Sequence, residues 1–425
     1  MALIVQKFGG TSVGSIERIH RVARRALATQ AQGHDVVVIV SAMAGETNRL
    51  LALARDTGSL NREDADDDAE PPPLDRREMD VIAATGEQVS AALTALAVQA
   101  QGGKARSFLG HQLKVRTDRA YSKARILAIQ PEVLQGHLAA GAIAIVAGFQ
   151  GVDDEGNITT LGRGGSDTSA VAVAAALGAD ACEIYTDVDG VYTTDPNVCP
   201  KARKIDRISY EEMLELASLG AKVLQRRSVE VAMKYSVPIH VRSSFSDADG
   251  TWVVGEEGAL ESVVVHGIAH DNSESRVMLV SVEDKPGVVA RIFSALAEES
   301  ISVDMIIQNA AKDAEGRTDV TFTVATTDMD KVRPIMDGLV SEVGARGVFY
   351  DDDIAKVSIV GLGMRSHAGV AAQMFDILAR EGINIQAIST SEIKISCLVQ
   401  TKYAELAVRA LHDGFGLEHA PATNG

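Results

Sequence analysis

The sequence predicts an α/β protein: a mostly parallel sheet flanked by helices, followed by two smaller α+β units of ferredoxin-like pattern. Three observations carry this reading. The apolar runs at 36–40 (VVVIV) and 142–148 (AIAIVAG) show no alternation, as expected of parallel strands buried on both faces. Paired glycines at Gly9-Gly10 and Gly164-Gly165 stand where a strand gives way to a helix-like run. A stretch in the last third of the chain repeats itself at an offset of 82 residues.

Composition narrows the function classes. Hydrophobic residues make up 46% of 425, enough for two or three domains with proper cores. Lys plus Arg number 41 against 58 Asp plus Glu, and the net charge of −17 argues against broad binding to nucleic acid or anionic membranes. A local phosphate site remains compatible with that balance. Cys182, Cys199 and Cys397 are odd in number and scattered, so neither a disulfide framework nor a zinc site is expected. No apolar run reaches ~18 residues, so a membrane span or signal peptide is not expected and the reading is a cytoplasmic protein.

Residues 3–14, LIVQKFGGTSVG, organise the first domain. A short apolar strand ends at Lys7, followed by Gly9, Gly10, Thr11 and Ser12, and a helix expected from about Ser15 to Gln30. Glycines let backbone N–H groups approach an oxyanion, a helix start favours negative charge, and Lys7 adds a full positive charge. These residues alone leave open an ordinary βα turn with a solvated lysine.

The strand at 36–40 ends in small and polar residues, Ser41 to Asn48, where open α/β sheets place ligands. Residues 61–74, NREDADDDAEPPPL, read as a solvated insertion without a role in chemistry. A helix is expected from Asp75 to about Gln101, with Gly86 and Glu87 inside it; glycine there costs ~1 kcal/mol relative to alanine, so packing or ligand approach is the expected reason. Whether Glu87 is a surface acid or a ligand is not decided by spacing. Residues 161–169, LGRGGSDTS, precede an alanine-rich helix expected to pack closely. Capping accounts for one of Ser166, Asp167 and Thr168, but not for Arg163, whose fork suits a carboxylate or phosphate. Thr186 to Pro196 reads as loop at the end of a strand, helices are expected at 209–219 and 221–235, and a closing strand at 238–243.

The repeat aligns Gly287 with Gly369, Phe293 with Phe375 and Ile301 with Ile383. Each copy reads strand, turn, amphipathic helix, strand, with further strands after it. Domains are expected at 1–250, 265–347 and 353–425.

Taken together, Lys7-Phe-Gly-Gly-Thr-Ser-Val-Gly14, Ser41, Gly86-Glu87, Arg163-Gly-Gly-Ser-Asp167-Thr and Thr186-Asp187 closely resemble the aspartate kinases of the amino-acid kinase family. The repeat resembles the tandem ACT domains that follow the kinase domain in those enzymes. The resemblance covers the whole chain apart from 61–74. It implies ATP-dependent phosphorylation of the L-aspartate β-carboxylate, with Mg²⁺ accompanying ATP and no protein-held metal. It implies Lys7, Gly9 and Gly10 on the transferring phosphate, Arg163 on the aspartate α-carboxylate and Glu87 on its α-amino group. Ser41, Thr47 and Ser166 would line the substrate pocket, and Asp167 would orient Lys7. Thr186, Asp187, Tyr192 and Lys222 would surround the nucleotide; Asn197 departs from the family's frequent Arg after Asp-Pro.

For the ACT pair the resemblance implies feedback inhibition by lysine and threonine. The effector positions it marks are Asp284, Gly287, Asp304 and Gln308 in the first copy, and Val370, Asn384, Ile385, Ser391 and Glu392 in the second. It also implies a homo-oligomer joined through ACT domains, in some members with a separately translated regulatory chain. No methionine lies between Met233 and Met278, so an internal start ahead of the first ACT strand would need a non-Met codon.

Overall fold

The opening apolar run forms β1 (Leu3–Phe8), and the glycine turn feeds α1 (Ile16–Ala31), whose N-cap Ser15 accepts from the Arg18 N–H at 3.3 Å. The computed structural model describes residues 1–59, 74–219, 223–256, 264–309, 316–365, 367 and 369–420. All but Leu74 of the insertion expected at 61–74, and Lys222, lie outside the described residues. The chain divides into two units: residues 1–191, 204–217 and 222–259, and residues 192–203, 218–221 and 260–425.

In the first unit β2 (Asp35–Val40) is followed by α2 (Glu46–Ser59) and α3 (Arg76–Ala100), then β3 (Ala105–Phe108), β4 (Arg116–Thr117) and β5 (Ile126–Ala128). Next come α4 (Glu132–Ala139), β6 (Ile143–Ala147), β7 (Gln150–Val152), β8 (Ile158–Thr160), α5 (Gly165–Leu177) and β9 (Ala181–Thr186). β10 (Arg207–Ser209), α6 (Tyr210–Ser218), α7 (Arg226–Tyr235), β11 (Ile239–Ser243) and β12 (Thr251–Val254) close it.

The eight-stranded sheet has the order β10-β12-β11-β9-β1-β2-β6-β3, and the six strands from β11 to β3 run parallel. The unalternating runs occupy its centre: β2 lies between β1 and β6, and Val36, Val38, Val40, Ile143 and Ile145 pack into one core with Phe8, Ile19, Val22 and Val98. Lys7, Ser41, Gly148 and Thr186 therefore stand at or just past the same, carboxyl-terminal edge of the sheet, where open α/β folds bind ligands. A small sheet, β5-β4-β7-β8, includes the hairpin expected around Asp153, whose Oδ1 accepts from the Glu155 and Asn157 N–H groups at 3.0 and 2.8 Å.

Two local expectations change, at α7 and α5, and two features, at α2 and α3, were not anticipated. α2 forms at Glu46–Ser59, a stretch given no element by the sequence, and carries Thr47 in its first turn. The helix expected from 221 begins at Arg226, because Gln225 is extended and serves as N-cap. The alanine-rich α5 buries one face only; Ala172, Ala175 and Ala176 line an open groove of about 840 Å³ with α7 and β5. And α3 is long and apolar enough to cross a membrane by length and composition, although no single apolar run is. Its buried residues include Asp80 and Glu87, and it packs against α1, α2 and β8.

The second unit opens with β13 (Gly267–Asp271) and β14 (Glu274–Glu283), then α8 (Val288–Glu298), β15 (Val303–Gln308), β16 (Arg317–Ala325), α9 (Met329–Glu342) and β17 (Gly347–Asp351). β18 (Ile354–Val360), α10 (Val370–Arg380), β19 (Ala387–Thr390), β20 (Lys394–Gln400) and α11 (Ala404–Gly414) complete it. α8 and α10 keep the 82-residue offset at both ends, each behind a left-handed glycine, Gly287 at φ 98° and Gly369 at φ 100°. The sheets run β15-β16-β14-β17 and β19-β20-β18-β13. The fourth strand of the second sheet thus comes from ahead of the first copy.

Lys356 of β18 joins the two sheets. It is 3% exposed and meets Glu274 of β14 and Asp304 of β15 together. Removing the shared cation leaves two carboxylates facing each other, Glu274 largely buried and Asp304 half-exposed. Lys356→Met is expected to destabilise this unit by roughly 2–4 kcal/mol, towards the lower end for a broken buried pair because Asp304 is partly solvated. Denaturant unfolding of wild type and variant checks this; a change under about 0.5 kcal/mol, the scale of an ordinary surface substitution, would show the triad to be energetically idle.

Candidate active site

The glycine turn after β1 and the one before α5 meet over the sheet edge. Lys7 Nζ lies 2.6 Å from Asp167 Oδ1, with both side chains about nine-tenths buried. The pair forms part of the lining of a cleft of about 720 Å³, together with Gly10, Ser41, Thr47, Glu87, Arg163 and Ser166. Asp80, Phe149 and Gln225 line it too.

Backbone geometry makes the meeting possible. Gly164, the N-cap of α5, has φ 68°, and a Cβ there would stand 1.8 Å from Gln225 Cγ. Capping by Ser166, Asp167 or Thr168 does not occur, because all three lie inside the first turn. Thr168 Oγ1 donates back to the Gly164 carbonyl at 3.2 Å, and Asp167 turns to Lys7. The start of α5, without a side-chain cap, faces the cleft and favours negative charge. Close approach of chain segments requires small residues twice more: a Cβ on Gly10 would stand 2.9 Å from the Ala42 carbonyl oxygen, and one on Gly86 2.8 Å from Ala42 Cβ. Packing of α3 against the loop after β2 is thus the reason for the helical glycine.

Glu87 is 4% exposed. Its Oε1 accepts from the Ala42 N–H at 3.0 Å, while Oε2 is buried without a hydrogen-bond partner. Burial pushes its carboxyl up to about 7, against the opposing pull of the Ala42 N–H. A surface acid is therefore excluded. Arg163 is exposed at the cleft and makes no ion pair among the described residues. Phe149, which no local pattern singles out, lines the cleft with a left-handed φ of 67°, rare for a bulky side chain. Its N–H is held by Ser169 Oγ at 3.0 Å.

The nucleotide residues are less gathered. Gly9 extends the sheet ladder, its N–H donating to the Tyr185 carbonyl at 3.4 Å, a long bond. Thr186 Oγ1 donates to Asp187 Oδ1 at 3.2 Å at the end of β9. Tyr192 begins the segment 192–203, which is counted with the second unit. Asn197 is held in a turn, its N–H on Asp195 Oδ1 at 2.8 Å.

In the second unit the effector positions fall at corresponding places of the two copies. Gly287 caps α8 and Val370 opens α10; Asp304 lies on β15, while Asn384 and Ile385 precede β19; Gln308 ends β15, while Ser391 and Glu392 follow β19. Asp284 follows β14, its N–H on the Gly316 carbonyl at 2.9 Å. Asp304 is already ion-paired to Lys356.

Residues 2–243 match the amino acid kinase family, and 276–339 and 357–415 each match an ACT domain. An aspartate kinase of Stutzerimonas stutzeri is 53% identical over 425 residues, covering 100% of this chain and 99% of its own. An aspartokinase of Mycolicibacterium smegmatis is 50% identical over 420 residues, covering 98% of this chain and 97% of its own. The fold is similar to that of Escherichia coli aspartokinase III in complex with aspartate and ADP, with a TM-score of 0.78 at 29% identity over 97% of this chain and 99% of that one.

The raised carboxyl of Glu87 has a consequence for stability. The folded chain keeps this proton up to about pH 7, whereas the unfolded chain releases it near its ordinary 4.5. The contribution is fully present below about pH 4.5 and is lost as pH rises through 7, about 3 kcal/mol in all at 1.36 kcal/mol per unit. Glu87→Gln should remove this dependence, so that its stability relative to wild type grows between pH 5 and 8 by urea denaturation. Parallel pH profiles would refute it.

Proposed function

The chain belongs to the amino acid kinase family and is an aspartate kinase with two ACT domains, and from this premise we propose how its cleft seats the reactants. The reaction moves the ATP γ-phosphoryl group to the β-carboxylate of L-aspartate, giving 4-phospho-L-aspartate (EC 2.7.2.4), the first step toward lysine, threonine and methionine. The acceptor is already an anion and needs no general base. The difficulty is to bring two anions together, which calls for fixed positive charge and N–H donors.

The observation that carries the seating is the Lys7–Asp167 pair at 2.6 Å, set between Glu87 and Arg163 in one cleft. Arg163 takes the α-carboxylate and Glu87, through its free Oε2, the α-ammonium, leaving the β-carboxylate toward Lys7. Ser41, Thr47 and Ser166 line this pocket. Lys7 bridges the transferring phosphoryl group, and Asp167 holds its ammonium in place. Gly10 and the start of α5 present backbone donors to the phosphates, whereas the Gly9 N–H is turned to the Tyr185 carbonyl.

Thr186 and Asp187, at the end of β9, attend the nucleotide. Mg²⁺ would accompany ATP and be held by its phosphates, the usual mode for a cation that keeps several waters.

The ACT pair receives lysine and threonine at Asp284, Gly287, Asp304 and Gln308 in one copy and at Val370, Asn384, Ile385, Ser391 and Glu392 in the other. Support comes from the same aspartokinase III solved with lysine and aspartate, with a TM-score of 0.75 at 29% identity over 97% of this chain and 99% of that one. The ammonium of an incoming amino acid competes with Lys356 for Asp304. The enzyme works in the cytoplasm as an oligomer joined through ACT domains, with room for a separately translated regulatory chain.

The test is ATP turnover with L-aspartate, trapped as the hydroxamate, with L-glutamate as control and with lysine, threonine or both added. Aspartate-dependent turnover, suppressed most by the pair, is expected; indifference to both effectors would overturn the regulatory assignment. Lys7→Ala should lower kcat by orders of magnitude while effector binding persists. Arg163→Ala and Glu87→Gln should each raise the aspartate KM at least tenfold. Because Glu87 must be ionised to receive the ammonium, the wild-type aspartate KM should fall from pH 6 to 8, and this slope should vanish in Glu87→Gln.

A further inference from the structure

Asp80 is 1% exposed and accepts from four donors, two on Thr160 and two on Ser122. Thr160 gives it Oγ1–H and N–H, both at 2.7 Å, on Oδ1 and Oδ2 respectively. The Ser122 N–H is shared between the two oxygens at 3.0 and 2.9 Å, and Ser122 Oγ adds a contact to Oδ1 at 3.3 Å. A carboxylate has about four lone-pair sites, and these contacts fill them. Although Asp80 lines the cleft, it has no acceptor capacity to offer a substrate ammonium.

Its partners matter for where they sit. Thr160 ends β8, three residues ahead of Arg163. Ser122 has a left-handed φ of 68°, and its carbonyl oxygen lies 2.9 Å from the place a Cβ on Gly162 would occupy. Asp80 therefore grips the Gly162-Arg163 turn twice, along the chain through Thr160 and across it through Ser122. On its own helix it stands two turns before Glu87, so both project from one face of α3 into the cleft wall.

We propose that Asp80 is a positioning residue that sets the separation between Glu87 and Arg163, and so selects an amino acid whose ammonium and α-carboxylate match it. This rests on the seating of aspartate given above. Two-point recognition is sensitive to spacing, because a displacement of about 1 Å far from the chemistry is enough to cost ~100-fold. Thr186 and Asp187, at the end of β9, are not among the partners of this strut.

Asp80→Asn preserves size and one acceptor for Thr160 but turns an amide N–H₂ toward the Ser122 N–H. The aspartate KM should rise at least tenfold while the ATP KM stays within twofold, with melting curves confirming the folded fraction. A fall in kcat with both KM values unchanged would mark a merely structural residue and overturn the proposal. An unchanged aspartate KM in folded Asp80→Asn, with Arg163→Ala and Glu87→Gln both raising it, would also overturn it. If those two variants leave the aspartate KM unchanged, the seating itself fails. Should Asp80→Asn not fold, Thr160→Val removes one contact only; a several-fold rise in aspartate KM alone supports the strut, and no change refutes it.

Discussion

Holding Lys7 against Asp167 away from water is the constraint on which the first unit depends. Two charges about nine-tenths buried are costly unless their partner is fixed, so the end of a central strand and the first turn of α5 must be brought together. That demand reaches outward. It places a left-handed glycine at 164, where Gln225 leaves no room for a Cβ, and it puts α5 across the sheet beside β1 and β9. In the proposed seating, the same pair supplies the fixed positive charge that a reaction between two anions requires, at no further reorganisation cost.

α3 shows how burial separates two carboxylates on one helix face. Asp80 is saturated by donors, whereas Glu87 has one oxygen satisfied and one bare. The saturated acid builds the wall, and in the proposed seating the unsatisfied acid receives the substrate ammonium. The distinction is invisible in residue type and spacing, and it also explains why a helix so apolar by composition belongs to a polar cleft. Of its polar residues, Asp80, Glu87, Ser90 and Thr94 are buried.

What was legible in the sequence was what is local. The glycine turns, the unalternating strands and the 82-residue repeat each depend on a handful of neighbouring residues, and each forms as read. Lys7 and Arg163 stood out by residue type and place, Glu87 and Asp167 took their roles from resemblance to a family, and the four gather in one cleft. What was hidden depends on distant partners. Asp80 is joined to Ser122 and Thr160 across 42 and 80 positions, and Phe149 is marked only by its backbone angle. Capping was inferred for Ser166, Asp167 or Thr168, but the cap fell on Gly164, two residues before the first of them, and Asp167 turns to Lys7 instead. Lys222 and nearly all of the 61–74 insertion lie outside the described residues.

The path of β13 bears on gene architecture. This strand precedes the whole first repeat yet pairs with β18, from Gly267 opposite Val360 to Asp271 opposite Lys356. The two repeats are therefore not beads that can be cut apart; one is threaded between two hydrogen-bonded strands of the other. A shorter reading frame opening at Met278 would begin inside β14 and leave the buried strand β18 as a bare, apolar edge, a template for pairing with a second copy. A self-sufficient regulatory product must be initiated upstream of Gly267, where no methionine codon follows Met233. In this chain the hydrogen-bond ladder of one small sheet sets where a ribosome could usefully begin.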